Sequence, residues 1–146
     1  MTTVACTRDV MAADSMAASS EGAATVTKLR KLRVGPLAGS LVGMTGDLAA
    51  GVKAIQWLEE KHRTASFKDV SLLLVRPNGS IWCYDGSEIP YSVSGSLCAI
   101  GTGAMAALGA FYQQKRSRLP LSPADAVRCA IRADAGSGGR VRVIHL

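Results

Sequence analysis

At 146 residues the chain is long enough for one domain with a true hydrophobic core and short for anything more elaborate. Hydrophobic residues make up 48% of it, yet no apolar run reaches the roughly 20 residues of a membrane-spanning helix, so a soluble protein without a membrane partner is expected. The net charge of +6 invites nucleic acid, but aromatics are only 5% and no recognition motif accompanies the basic residues, so no nucleic-acid partner is expected.

The chain opens Met1-Thr2-Thr3-Val4-Ala5-Cys6-Thr7, breaks at Arg8-Asp9, resumes as Val10-Met11-Ala12-Ala13 and stops at Asp14. This weak alternation around a polar break predicts a β-hairpin that brings Thr2 beside Asp14. Removal of Met1 would leave Thr2 with a hydroxyl and a free α-amine on adjacent carbons, a nucleophile carrying its own base; an ordinary strand start is the plain alternative. Residues 15–24 are small and polar and read as a loop. Residues 26–32, Val-Thr-Lys-Leu-Arg-Lys-Leu, read as a strand, and 37–42 as its antiparallel partner after the Gly35-Pro36 turn.

A helix is expected from Asp47 through Leu58, with its wet end at Glu59-Glu60-Lys61-His62-Arg63. Residues 70–75 form a near-continuous apolar run, a strand buried on both faces, and Pro77-Asn78-Gly79-Ser80 turns it into 81–84. Short strands follow at 91–93 and 98–100. Gly101-Thr102-Gly103 opens a second helix rich in small residues, and its basic end at Lys115-Arg116-Ser117-Arg118 suits the helix dipole. Ser122-Pro123-x-Asp125 is a helix start, with Ser122 as N-cap and Pro123 at the first position. That helix ends near Asp134-Ala135-Gly136-Ser137-Gly138-Gly139, and 140–146 form a last strand. Hairpins, one helix, hairpins, two helices and a strand make an α+β protein, two antiparallel sheets face to face with helices outside.

The four cysteines Cys6, Cys83, Cys98 and Cys129 form no C-x-x-C pair, and no secretory leader is visible, so reduced and mostly buried thiols in a cytoplasmic protein are expected. The two histidines, His62 and His145, are far apart and lack ligand spacing, which argues against a zinc site or a Ser-His-Asp triad.

Six motifs in one order, Thr2-Thr3, Ala13-Asp14-Ser15, Lys28-Leu29-Arg30-Lys31-Leu32, Gly43-x-x-x-Asp47, Gly101-Thr102-Gly103 and Asp134-x-x-Ser137-Gly138-Gly139, resemble the catalytic β-type subunits of the proteasome family. The short hairpin and basic strand are similar to the HslV peptidase, and the Asp134 to Gly139 segment to the core proteasome particle. The resemblance covers nearly the whole chain. It implies the αββα sandwich of the N-terminal nucleophile hydrolases over residues 1–146, a threonine peptidase needing no cofactor or metal, and catalytic roles for Thr2, Asp14, Lys28, Gly43, Thr102, Asp134 and Ser137. In this reading Lys28 and Asp14 tune Thr2, the Gly43 N–H faces the oxyanion, and Thr102, Asp134 and Ser137 support the α-amine. Taken alone, Gly43 is equally a turn glycine, and Asp134 with Ser137 a plain helix cap. Thr102 stands where the family usually has Ser.

The same resemblance places substrate contacts at Ala17, Ala18, Val26, Leu41, Thr45 and Ala49, a largely apolar set that implies cleavage after medium apolar side chains. It further implies a homo-oligomeric ring acting on protein or peptide substrates, with an ATP-dependent unfoldase as a further partner. One departure is large. Family members carry two helices before the strand at 70–75, and this chain has room for one, so one face of the sandwich should be thin or covered by a neighbouring subunit. A small-molecule amidohydrolase of the same chemistry and a non-catalytic assembly subunit are the competing functions.

Overall fold

The computed structural model describes residues 2–60 and 66–146. Met1, whose removal the nucleophile reading requires, and residues 61–65, which include His62 and most of the expected wet end of the first helix, lie outside the described residues.

The described residues form β1 (Thr3–Thr7), β2 (Val10–Ala13), β3 (Met16–Ser19), β4 (Gly22–Thr25), β5 (Leu29–Lys31), β6 (Leu41–Gly46), α1 (Leu48–Glu59), β7 (Val70–Val75), β8 (Ile81–Asp85), β9 (Tyr91–Val93), β10 (Leu97–Gly101), α2 (Ala104–Arg116), α3 (Pro123–Ala133) and β11 (Arg142–His145). A four-stranded sheet runs β10-β1-β2-β11 and a five-stranded sheet β5-β6-β7-β8-β9, both antiparallel throughout, while β3 and β4 pair only with each other. This is the expected αββα sandwich, with, among the described residues, α1 as the one helix outside the larger sheet and α2 with α3 outside the smaller one.

Period two in the strands separates the layers. In β1, Val4 and Cys6 point into the space between the sheets, where they meet Leu29, Leu41, Leu73, Val75 and Ile81. Ala5, and Ala12 opposite it, face α2 and α3 through Ala107, Phe111, Ala126, Val127 and Ala130. In β7, Leu73 and Val75 point inward while Leu72 and Leu74 point out toward Ala54, Ile55 and Leu58 of α1. Both faces of β7 are therefore buried, which accounts for its continuous apolar run.

Two expectations from the sequence need correction. Residues 15–24 are not a loop but include the hairpin β3–β4, closed by a two-residue turn with Ser19 opposite Gly22. Alanine fills half of the paired positions and gives no apolar rhythm, so the alternation that marks a strand is absent. The strand expected at 26–32 shrinks to Leu29–Lys31, and its partner starts at Leu41 because residues 35–40 fold into turns, with Ala38 N–H on Gly35 O and Ser40 N–H on Leu37 O. Lys28 stays tied to the sheet through its carbonyl, which accepts the Met44 N–H at 3.0 Å.

The helix ends follow local rules. Asp47 caps α1, its Oδ1 accepting the Ala50 N–H at 2.7 Å, and the Ser122 hydroxyl caps α3 by accepting the Asp125 N–H at 3.2 Å. On the face with a single helix, side chains supply the cover. Phe67 stacks on Tyr84 at 5.7 Å and meets Trp57 edge-on at 5.5 Å, and the Arg76 guanidinium lies 4.4 Å over the Trp82 ring. Phe67→Ala should therefore cost about 3 kcal/mol in urea unfolding, whereas Met105→Ala on the exposed side of α2 should stay within about 0.5 kcal/mol.

Candidate active site

Asp14 follows the last residue of β2, and pairing of β1 with β2 sets it against the start of β1. Its carboxylate is fully buried and collects four hydrogen bonds from three donors. Oδ1 accepts the Thr3 N–H at 2.9 Å, Oδ2 accepts the Gly138 N–H at 3.0 Å, and the Lys28 ammonium spans both oxygens at 3.0 and 3.1 Å. Lys28, only 5% exposed, also donates to the Thr2 hydroxyl and to the Met16 carbonyl. Burial pulls the Lys28 pKa below the usual lysine range, and the Asp14 carboxylate opposes that shift. Two buried charges are tolerated here because they pair and their remaining polar positions are filled. The result is an ammonium directed at the oxygen of Thr2.

A second set lies behind β1. Asp134, the C-cap of α3, accepts the Thr102 hydroxyl at 2.5 Å and the Ser137 hydroxyl at 2.7 Å on Oδ2. Those two hydroxyls hold its carboxyl below the usual aspartate range. Ser137 Oγ is 2.7 Å from Thr3 Oγ1, so the side chain expected to support the Thr2 α-amine contacts the hydroxyl of the next residue. Thr102 sits between two glycines of the β10–α2 turn. Gly101 has φ +97°, and a Cβ there would run into the carbonyl of Thr2, so the turn closes against the start of β1 only with glycine.

Thr2 and Lys28 wall a cavity of about 340 Å³ together with Met16, Ala17, Ala18, Met44, Thr45, Gly46, Asp47 and Leu48. Of the expected substrate contacts, Ala17, Ala18 and Thr45 stand here. Val26 lines an adjoining groove of about 360 Å³ with Ala17, Ala18 and Leu48. Leu41 does not reach either space; its side chain is fully buried between the sheets. Ala49 is exposed on α1 and lines neither space. Gly43 is also placed elsewhere. It sits in the interior of β6, paired with Leu29 and Leu73, where a Cβ would collide with Val4 and Met11 across the gap between the sheets.

The glycine at the cavity is Gly46, three residues on, where β6 turns into α1. It has φ +94°, and a Cβ would strike the Asp69 carbonyl. Its position immediately before the helix cap Asp47 was the available signal, since the strand-to-helix turn brings main chain to a sheet end. Met44 and Leu48 carry no such signal: Met44 lies in the segment that ends the expected strand, and Leu48 belongs to the apolar spacing of the helix.

Among the described residues no group of His, Cys, Asp and Glu is arranged to hold a metal ion, and no helix is long and apolar enough to cross a membrane. All four cysteines are free, Cys6 and Cys83 buried, Cys98 half-buried and Cys129 exposed, so fewer are buried than composition suggested.

The sequence matches no protein-family model and no curated protein. The fold does match known structures. Superposition on BPH of Thiobacillus denitrificans, in complex with epoxomicin, gives a TM-score of 0.74 at 18% identity, over 99% of this chain and 97% of that one. The eukaryotic HslV of Trypanosoma brucei gives 0.70 at 17% identity, over 99% and 98%. The chain has the HslV fold. A Gly-1 mutant of Anbu from Hyphomicrobium sp. strain MC1 gives 0.76 at 13% identity, over all of this chain and 81% of that one. The αββα arrangement expected from the motifs is thus shared over nearly the whole length of this chain.

Two predictions test the electrostatics. Lys28→Met should destabilise by about 3–5 kcal/mol in urea unfolding, because it strands the buried Asp14, and adding Asp14→Asn should recover part of that loss. Asp134 has a depressed pKa, so its stabilisation is complete above the ordinary aspartate value of about 3.9 and is lost as pH falls toward its lower folded value. The stability gap between the wild type and Asp134→Asn, followed by urea midpoints from pH 6 to 2.5, should hold to about pH 4 and then close.

Proposed function

We propose that this chain, as one N-terminal nucleophile hydrolase domain, is a threonine endopeptidase that cleaves unfolded protein or peptide inside a homo-oligomeric particle. The observation that carries the reading is the Lys28 ammonium donating to Thr2 Oγ1 while Asp14 fixes that ammonium in place, at the wall of an open cavity. A positive charge beside the hydroxyl favours its alkoxide-like form at the moment of attack.

With Met1 removed, the α-amine of Thr2, of ordinary pKa about 8, takes the hydroxyl proton near neutral pH. Thr2 Oγ attacks the peptide carbonyl carbon and the carbonyl electrons move onto oxygen. The main chain at Gly46, the glycine that lines the cavity, stabilises this oxyanion in place of Gly43. Collapse breaks the C–N bond, the α-ammonium protonates the leaving amine, and water then hydrolyses the acyl-Thr2 ester with the α-amine again as base. Thr102, Asp134 and Ser137 keep the region behind β1 ordered. An extended substrate lies along β3 by strand addition, with Ala18 contributing backbone. Ala17, Met44 and Leu48 favour a medium apolar side chain at the cleaved position, and Asp47 at the rim disfavours an acidic one.

The fold shared with HslV supports a particle that sequesters the site, fed by an ATP-dependent unfoldase in the cytoplasm. The epoxomicin held by BPH suggests a probe for this chain too. Thr2→Ala should abolish peptide hydrolysis, and epoxomicin should add one inhibitor mass to a chain lacking Met1. A fluorogenic panel should show fastest cleavage after Leu, Met or Val. Full activity in Thr2→Ala, or retention of Met1 in the active protein, refutes the mechanism.

A further inference from the structure

The two threonines at the head of β1 point to opposite faces. Thr2 lies on the side of Val4 and Cys6 and meets Lys28; Thr3 lies on the side of Ala5, toward the helices, and meets Ser137. Thr3 has no solvent exposure and is held by three hydrogen bonds. Its N–H donates to Asp14 Oδ1 at 2.9 Å, its carbonyl accepts the Asp14 N–H at 3.2 Å, and its hydroxyl is 2.7 Å from Ser137 Oγ.

The direction of the last bond follows from proton counting. Ser137 has one hydroxyl proton, and it goes to Asp134 Oδ2 at 2.7 Å, so Thr3 must be the donor and Ser137 the acceptor. Asp134 remains an acceptor at neutral pH because two hydroxyls stabilise its ionised form. The chain Thr3 to Ser137 to Asp134 therefore runs one way. Gly103 makes room for it, since a Cβ there would run into Thr3 Oγ1 and sit 3.2 Å from Ser137 Oγ.

Once Met1 is gone, Thr2 is the end of the chain with a single covalent neighbour. We infer that Thr3 is a positioning residue, its hydroxyl anchored through Ser137 to Asp134 so that the terminal Thr2 is held in line with Lys28 and the cavity. The inference rests on the peptidase reading above. Thr3 touches no reacting atom; it acts through the peptide bond it shares with the nucleophile.

Thr3→Val keeps the shape, removes the donor and leaves Ser137 Oγ without it. Because small misplacement of a reacting group is costly, kcat on a fluorogenic peptide should fall about 10- to 100-fold with KM within about twofold. Thr3→Ser restores the donor and should return kcat to within about threefold of wild type. Ser137→Ala removes the acceptor of the same bond, so the Thr3→Val/Ser137→Ala double variant should be no slower than the slower single variant. Urea midpoints and the fraction labelled by epoxomicin are followed in parallel. A wild-type kcat in folded Thr3→Val, a Thr3→Ser as slow as Thr3→Val, or additive losses in the double variant would overturn the positioning role while leaving the peptidase intact. If Thr3→Val does not fold, Thr3→Ser and Ser137→Ala carry the test: the first should stay near wild-type kcat and the second should fall, and the reverse overturns the role. Activity in Thr2→Ala, or a wild type inert to both peptide and epoxomicin, overturns the peptidase reading and this inference with it.

Discussion

Two opposite charges buried near the start of β1 constrain what surrounds them. Neither the Asp14 carboxylate nor the Lys28 ammonium could sit there alone, since an unpaired buried charge costs several kcal/mol. Together they need their remaining bonding positions filled, and the fold fills them from distant parts of the chain. Thr3 and Gly138 serve Asp14, while Thr2 and the Met16 carbonyl serve Lys28. One ion pair thus ties together β1, the end of β2, the start of β3, the approach to β5 and the loop after α3. The same saturation that makes the pair tolerable directs its one outward contact at the Thr2 oxygen.

The second constraint is the strict alternation of side chains along β1. It sends Thr2 toward the gap between the sheets and Thr3 toward the helices, so two adjacent residues join two separate polar networks. The first is charged and centres on Asp14 and Lys28. The second is a run of hydroxyls ending on Asp134. The backbone joins them, and Asp14 takes part in both through the Thr3 N–H. A shift of register by one residue would exchange the two faces and break both networks at once.

Much of this was legible in the sequence wherever a local rule and the hydrophobic period agreed. The helix start at Ser122-Pro123, the turn at Pro77-Asn78-Gly79 and the buried run of β7 each carry their own signal. Thr2, Asp14 and Lys28 were found through spaced motifs, and the structure brings them within hydrogen-bonding reach. The hairpin β3–β4 is illegible because its strands, half alanine, show no polar alternation. Gly43 and Leu41 lie away from the cavity for a reason the sequence hides. Position along β6 reads the same whether a residue faces a cavity or the neighbouring sheet, and only the sheet-on-sheet contact separates the interior Gly43 from the terminal Gly46. That Ser137 reaches the Thr3 hydroxyl is not legible either, since sequence order says nothing of which face of β1 meets the loop after α3.

The face on which α1 is the one helix among the described residues is completed by side chains rather than by backbone. A second helix would bring N–H and C=O groups at both ends, each needing a cap. Rings bring almost none of that demand: Phe67, Tyr84 and Trp57 meet one another by edge and face, and Trp82 is roofed by a guanidinium. The cost is concentration. A helix spreads its contacts over several turns, so one truncated side chain is shared out among many neighbours, whereas here a few large side chains each shield a wide area of sheet. This side of the molecule therefore has little redundancy, and its sequence should drift by exchange among aromatic residues rather than by loss of them.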